Sequence, residues 1–143
     1  MKHAIVLCSL LAAAACAPVP PPPPPPAPVA GAPAGARVFT VFFDWNRSVV
    51  GPDAMAILRQ AVATYRAGGA ATVQVTGYTD TSGSVRYNQR LSQRRALNVA
   101  HALAGMGVPP QALVHGGVGE NNLAVPTPDS VREPRNRRVT IVE

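Results

Sequence analysis

Between Gly77 and Ala96 the chain reads GYTDTSGSVRYNQRLSQRRA, with one carboxylate, Asp80, and four guanidinium groups, Arg86, Arg90, Arg94 and Arg95. In a helix each residue turns about 100° around the axis. Arg86, Arg90 and Arg94 then share one side at i, i+4, i+8 spacing and read as a solvated face. Arg95 does not join them. It projects about 40° from Leu91, inside the apolar arc that also holds Ala96, Val99, Ala102, Leu103 and Met106. Asn88 lies one heptad earlier, almost in line with Arg95. A guanidinium on an inward face is costly unless it is paired and hydrogen-bonded. Two partners are open to it: an internal carboxylate, of which Asp80 is the nearest in sequence, or an anion from outside. The loop TDTSGS lies between a strand end and a helix N-terminus, where free backbone N–H groups attract anions, and Gly83 permits a tight turn. An anion site beside a lone carboxylate suits a ligand carrying both charges on one carbon, the ammonium and carboxylate of an amino-acid end group.

These residues need elements to hold them. VFTVFF, Val38 to Phe43, is β-branched and aromatic and predicts a strand. Asp44 and Asn46 follow as turn formers. Pro52 and Asp53 suit a helix start. Ala54, Ile57, Leu58, Ala61, Val62 and Tyr65 recur at three- and four-residue steps, which predicts an amphipathic helix over Pro52 to Arg66, closed by Gly68 and Gly69. TVQVTGY, Thr72 to Tyr78, alternates like a half-buried strand. A second helix runs from about Val85 to Ala104, and Val108 to Pro110 connect it onward. ALVHGGVG predicts a third strand, residues 120–134 a loop, and RRVTIVE a fourth strand. The order βαβαββ predicts an α/β sandwich, one mixed sheet covered by two helices.

The chain has 143 residues and a net charge of +6, enough for one domain with a core of ordinary size. Ten of its 16 prolines lie between Pro18 and Pro33, so the first quarter stands outside that core. Lys2, an apolar run from Ala4 to Ala15 and small residues at its end read as a secretory signal over residues 1–15. The run is too short to span a bilayer as a helix, which takes about 20 apolar residues. AAAC, Ala13 to Cys16, resembles the lipobox of bacterial lipoproteins, with Ala13 where leucine is usual. That resemblance implies a diacylglycerol-modified Cys16, with acyl chains such as palmitate, as the first residue of the mature chain. Cleavage at an A-x-A site over Ala13 to Ala15, leaving Cys16 a free thiol, is the alternative. Residues 16–36 then form the lipidated cysteine and a proline-rich spacer, which rises about 3.1 Å per residue in polyproline II. The folded domain spans residues 37–143. It has no cysteine and so needs no disulfide.

Several classes are disfavoured. A hydrolase needs a nucleophile with a base, a metal site or a carboxylate pair. The domain offers only His101 and His115, without ligand spacing, and few scattered carboxylates. We therefore expect no enzyme, no cofactor and no metal. The arginines lack the interleaved aromatic residues of a nucleic-acid surface, and an export signal argues against such a partner.

Three separated motifs, FFDWN, TGYTDTSGSVRYNQRLSQRRALNV and NRRVTI, occur in the order found in the OmpA-like peptidoglycan-binding domains. The chain resembles that family over roughly Val38 to Val142. The resemblance implies non-covalent binding of the peptide stem of peptidoglycan at diaminopimelate. Asp80 would pair with the ligand's ammonium and Arg95, as a bidentate donor, with its carboxylate. It also places Asn88, Asp44 and Arg137 around the pocket, Thr79 as a backbone contact and Leu91 beneath the site. Arg138 would face away from Arg137, since alternate strand residues point to opposite faces. Trp45, bulky beside Asp44, and Pro134, before the NRR motif, depart from the family pattern. With a lipid anchor, the chain resembles the peptidoglycan-associated lipoproteins, which implies a tether between outer membrane and wall on the periplasmic face. Ala17 after Cys16 fits outer-membrane sorting by family habit. The loop TDTSGS differs from the one common in those lipoproteins, which leaves a Tol-type envelope complex as the alternative role.

Overall fold

The computed structural model of the chain describes residues 35–68 and 71–143; the expected signal and Cys16 lie outside them, as does the spacer up to residue 34. Four strands, β1 (Val38–Phe42), β2 (Val73–Gly77), β3 (Leu113–Gly117) and β4 (Arg138–Val142), alternate with two helices, α1 (Pro52–Arg66) and α2 (Val85–Gly105). The sheet runs β1-β4-β2-β3, with β4 antiparallel to both neighbours and β2 parallel to β3. This is the expected βαβαββ sandwich with a mixed sheet. No helix among the described residues is long and apolar enough to cross a membrane.

Alternation explains the sheet. Val41, Val73, Val75, Val139 and Ile141 lie on the face toward the helices and are fully buried. Leu58 and Ala61 of α1 and Ala96, Val99 and Leu103 of α2 close over them as one core. Each buried Val, Ile or Leu side chain contributes about 1.5–3 kcal/mol, so this layer holds the sandwich together. The helix ends follow their residues. Pro52 opens α1 with Asp53 in its first turn, and Gly68 lies just past its end at φ 99°. Ser84 caps α2 by accepting from the Tyr87 N–H at 3.3 Å.

Some boundaries differ from expectation. The third strand is shorter than ALVHGGVG, because Pro110–Ala112 form a 3-10 turn. The fourth begins at Arg138 rather than Arg137, after a second 3-10 turn over Pro134–Asn136. Pro134 starts that turn without penalty because its missing N–H has no role at a first helical position. The approach to Asn136 is therefore helical despite the proline.

One contact sets the position of α2. Gly77 and Gly117 are register partners on β2 and β3. A Cβ on Gly77 would collide with the Ser92 backbone carbonyl, and one on Gly117 with the Gln93 backbone N–H and the Ser92 side chain. Two bare strand ends thus let α2 press directly on the sheet. Ser92 completes the seam by donating to the Gln89 carbonyl at 2.8 Å and accepting from the Gly119 N–H at 2.8 Å. Leu91 and Arg95 are thereby carried to the end of β2, beside Asp80.

Candidate functional site

Arg95 is fully buried. Its Nε donates to the Arg47 carbonyl at 2.8 Å, Nη1 to the Tyr78 carbonyl at 3.0 Å and Nη2 to the Asp44 carbonyl at 3.1 Å. The guanidinium lies 5.2 Å from the centre of the Phe43 ring. A guanidinium has five N–H groups, so one on each Nη remains beyond these three bonds. Burial lowers its pKa to about 10, partly opposed by the nearby charge of Asp80, and it stays cationic at neutral pH.

The internal Asp80–Arg95 ion pair, one of the two partners open to Arg95, does not form. The ion pairs among the described residues are Arg135–Glu133 and Arg137–Asp80. Asp80, itself buried, turns Oδ2 to Arg137 Nη1 at 3.1 Å. Its Oδ1 accepts from the Ser82 hydroxyl at 2.6 Å and, more weakly, from the Ser82 N–H at 3.3 Å, an Asx turn within the loop. Arg137 is held in turn by the Phe43 carbonyl at 3.0 Å. Backbone carbonyls therefore satisfy Arg95, and a different arginine balances the carboxylate.

Asp80, Arg95, Leu91 and Arg137 line one cavity of about 170 Å³, together with Trp45, Asn46, Ser82, Gly83 and Tyr87. The other three expected residues do not line it. Asn88 lies behind the loop, where its amide donates to the Asp80 carbonyl at 3.2 Å and to Glu120 Oε2 at 2.6 Å. Asp44 offers Arg95 its backbone carbonyl, while its side chain is exposed toward a larger neighbouring groove. Thr79 gives its N–H to the Gly119 carbonyl at 2.8 Å, and its buried hydroxyl has no protein partner. These three build the frame rather than the surface.

Sequence reasoning missed Ser82 and Tyr87 as lining residues and assigned Asn46 and Gly83 only to turns. Tyr87 was legible, since it projects about 40° from Leu91 on the same helix. Its hydroxyl donates to Asn46 Oδ1. Trp45, singled out as a departure, forms part of the wall. Its indole N–H donates to the Ser82 hydroxyl at 3.1 Å, and Arg132 stacks 3.9 Å from its ring centre. Gly83 has φ 139°, which favours glycine, and a Cβ there would come 3.1 Å from Asn88 Oδ1.

The long loop before β4 does not line the cavity but is fastened to the residues beside it. Thr81 donates its hydroxyl to the Pro128 carbonyl at 2.6 Å and accepts from the Val131 N–H at 3.2 Å. Asn136 pairs with both backbone groups of Val125, at 2.9 and 2.8 Å. Arg138, the first residue of β4, has different partners from Arg137, which lies just before the strand. It stacks 3.9 Å over Tyr78 and donates to the Asn122 carbonyl at 2.9 Å, and burial lowers its pKa. Arg86, Arg90 and Arg94 are exposed, as are His101 and His115.

The site thus carries one negative and two positive groups in a small cavity. About 300–1,000 Å³ is usual for drug-sized ligands, and this cavity is smaller. Charges of both signs line it.

The fold has known relatives. Residues 42–137 match the OmpA family. An outer membrane protein of Gluconacetobacter diazotrophicus is 43% identical over 117 residues, covering 78% of this chain and 31% of that protein. The chain thus spans about a third of that relative's length. Among solved structures, the OmpA-like domain of FopA1 from Francisella tularensis shares the fold, with a TM-score of 0.69 at 21% identity over 76% of this chain and 71% of that one. The peptidoglycan-associated lipoprotein of Burkholderia pseudomallei superposes with a TM-score of 0.67 at 27% identity over 73% of this chain and 88% of that one. OmpA-like domains are structural and not enzymes. The chain belongs to the OmpA family.

Proposed function

We propose that the domain binds peptidoglycan without covalent attachment, by holding the zwitterionic end of diaminopimelate in a stem peptide. Asp80 takes the ammonium and Arg95 the carboxylate. One observation carries this reading: a fully buried guanidinium with no carboxylate partner among the described residues shares a 170 Å³ cavity with a carboxylate. A buried cation held only by neutral carbonyls is incompletely compensated, and an incoming carboxylate supplies what is missing. Arg137 adds a second positive charge, so the anionic end of the ligand gains most. Asp80 keeps lone-pair capacity for an ammonium beside its bonds to Ser82 and Arg137. The name of the Burkholderia structure, a peptidoglycan-associated lipoprotein, supports the same partner.

In the whole protein, acylated Cys16 and the proline-rich spacer would hold this domain off the outer membrane and so tether that membrane to the wall from the periplasmic face. Outer-membrane naming among the relatives supports the location.

The test is co-sedimentation with purified peptidoglycan and calorimetry with free diaminopimelate. Asp80→Ala and Arg95→Ala should each weaken both at least about tenfold, the scale of one lost charge-assisted contact. Undiminished binding by both variants would refute the site. Release of soluble wall fragments by the pure protein would overturn the non-catalytic role.

A further inference from the structure

Helix α2 carries no aspartate or glutamate anywhere from Val85 to Gly105. On its outer face stand Arg86, Arg90 and Arg94, all exposed. None of them forms an ion pair among the described residues. Like charges at i, i+4 destabilise a helix, and a cation in the first turn, where Arg86 lies, opposes the helix dipole. An ordinary solvated face mixes signs and avoids both costs. This face accepts them.

The row is also continuous with the cavity. Tyr87 lines the cavity, and on the helix its neighbours are Leu91 at i+4, on the cavity wall, and Arg90 at i+3, in the arginine row. Around the axis Tyr87 lies only about 20° from Arg94. Tyr87 is thus both a lining residue of the cavity and a helix neighbour of the arginine row.

We infer that Arg86, Arg90 and Arg94 form a second binding strip, which takes free carboxylates on the remainder of the wall peptide whose zwitterionic end the cavity holds. The inference rests on the function proposed above. Spacing supports it. Successive arginines stand about 6 Å apart along the axis. Alternate side chains of an extended peptide stand about 6.8 Å apart. Carboxylates at alternate positions of such a peptide would match the spacing of successive guanidinium groups.

The experiment compares the full chain with its Arg86→Gln/Arg90→Gln/Arg94→Gln variant, after circular dichroism shows both folded. Free diaminopimelate should bind both equally by calorimetry. Insoluble peptidoglycan at 50 mM salt should bind the variant about tenfold more weakly. Raising salt to 300 mM should weaken the wild type and close most of that gap. Amidating the free carboxyl groups of the peptidoglycan should abolish the difference. Equal sedimentation of the two proteins at 50 mM salt overturns the inference while leaving the cavity reading intact. So does a difference that survives amidation. A difference seen only on vesicles of anionic phospholipid overturns it in favour of a membrane surface. If the wild type binds neither diaminopimelate nor peptidoglycan, the cavity reading fails and this inference fails with it.

Discussion

The carboxylate of Asp80 pairs with Arg137, 57 residues away in sequence, at 3.1 Å. It passes over Arg95, whose partners are backbone carbonyls. The two arginines therefore have separate duties. Arg137 neutralises the carboxylate, and Arg95 pins the chain between Asp44 and Arg47 against the end of β2.

Arg137→Gln should destabilise the domain by about 3 kcal/mol, the lower end for stripping one partner from a buried pair, because Arg137 keeps slight exposure. Asp80→Asn in the same background should recover part of that loss. A urea-denaturation cycle of the four proteins measures the coupling, and strictly additive losses would show that the pair contributes nothing.

Arg95→Lys should fail despite keeping the charge. Three carbonyls from Asp44, Arg47 and Tyr78 surround a planar fork, and one ammonium cannot meet all three in that geometry. We expect diaminopimelate affinity at least about tenfold lower and a stability loss of about 2 kcal/mol from carbonyls left unpaired. Calorimetry and thermal melts check the two effects separately.

Gly77→Ala and Gly117→Ala should each cost about 3 kcal/mol or more, because the obstacle to the new methyl includes backbone of α2 in both cases. Gly116→Ala, with nothing near its Cβ, is the matched control and should cost far less. Chemical denaturation of the three variants ranks them.

Glu143 has its pKa raised by burial, with Arg37 partly opposing. The folded state thus binds its proton more tightly than the unfolded one, and stability falls as pH rises from the ordinary glutamate range through the raised value. Glu143→Gln should therefore melt higher than wild type at pH 7, by at most about 2 °C because the group is largely screened. The difference should vanish near pH 3. An equal gain at both pH values would show that burial of the charge is not the cause.

Thr81→Val removes the hydroxyl that ties Pro128 and Val131 to the site loop. A loss of about 1–3 kcal/mol is expected, with faster amide hydrogen exchange at Val131.

The elements were legible because their signals are local. The steps through Ala54, Leu58, Ala61 and Val62, and the alternation of Val73 and Val75, report burial directly. The order β1-β4-β2-β3 was not legible, since periodicity marks which face is buried and not which strand lies alongside. At the site, the inward turn of Arg95 followed from its angle to Leu91. Its partners did not, because Asp44, Arg47 and Tyr78 contribute carbonyls, and a carbonyl has no residue-type signature. The split of Asn88, Asp44 and Thr79 from the cavity wall depends on side-chain direction in a loop and at a helix edge, where one rotamer decides the outcome.

The residues that fasten the long loop are the immediate chain neighbours of the ion pair. Thr81 follows Asp80, and Asn136 precedes Arg137, and each grips the loop by backbone bonds. The loop is thus a strut whose two feet stand on the two halves of one charge pair. Shortening the span between Val125 and Val131 would pull on both feet at once, so a deletion in this largely solvent-facing segment would bear on both members of the pair, whereas an insertion can bulge into solvent.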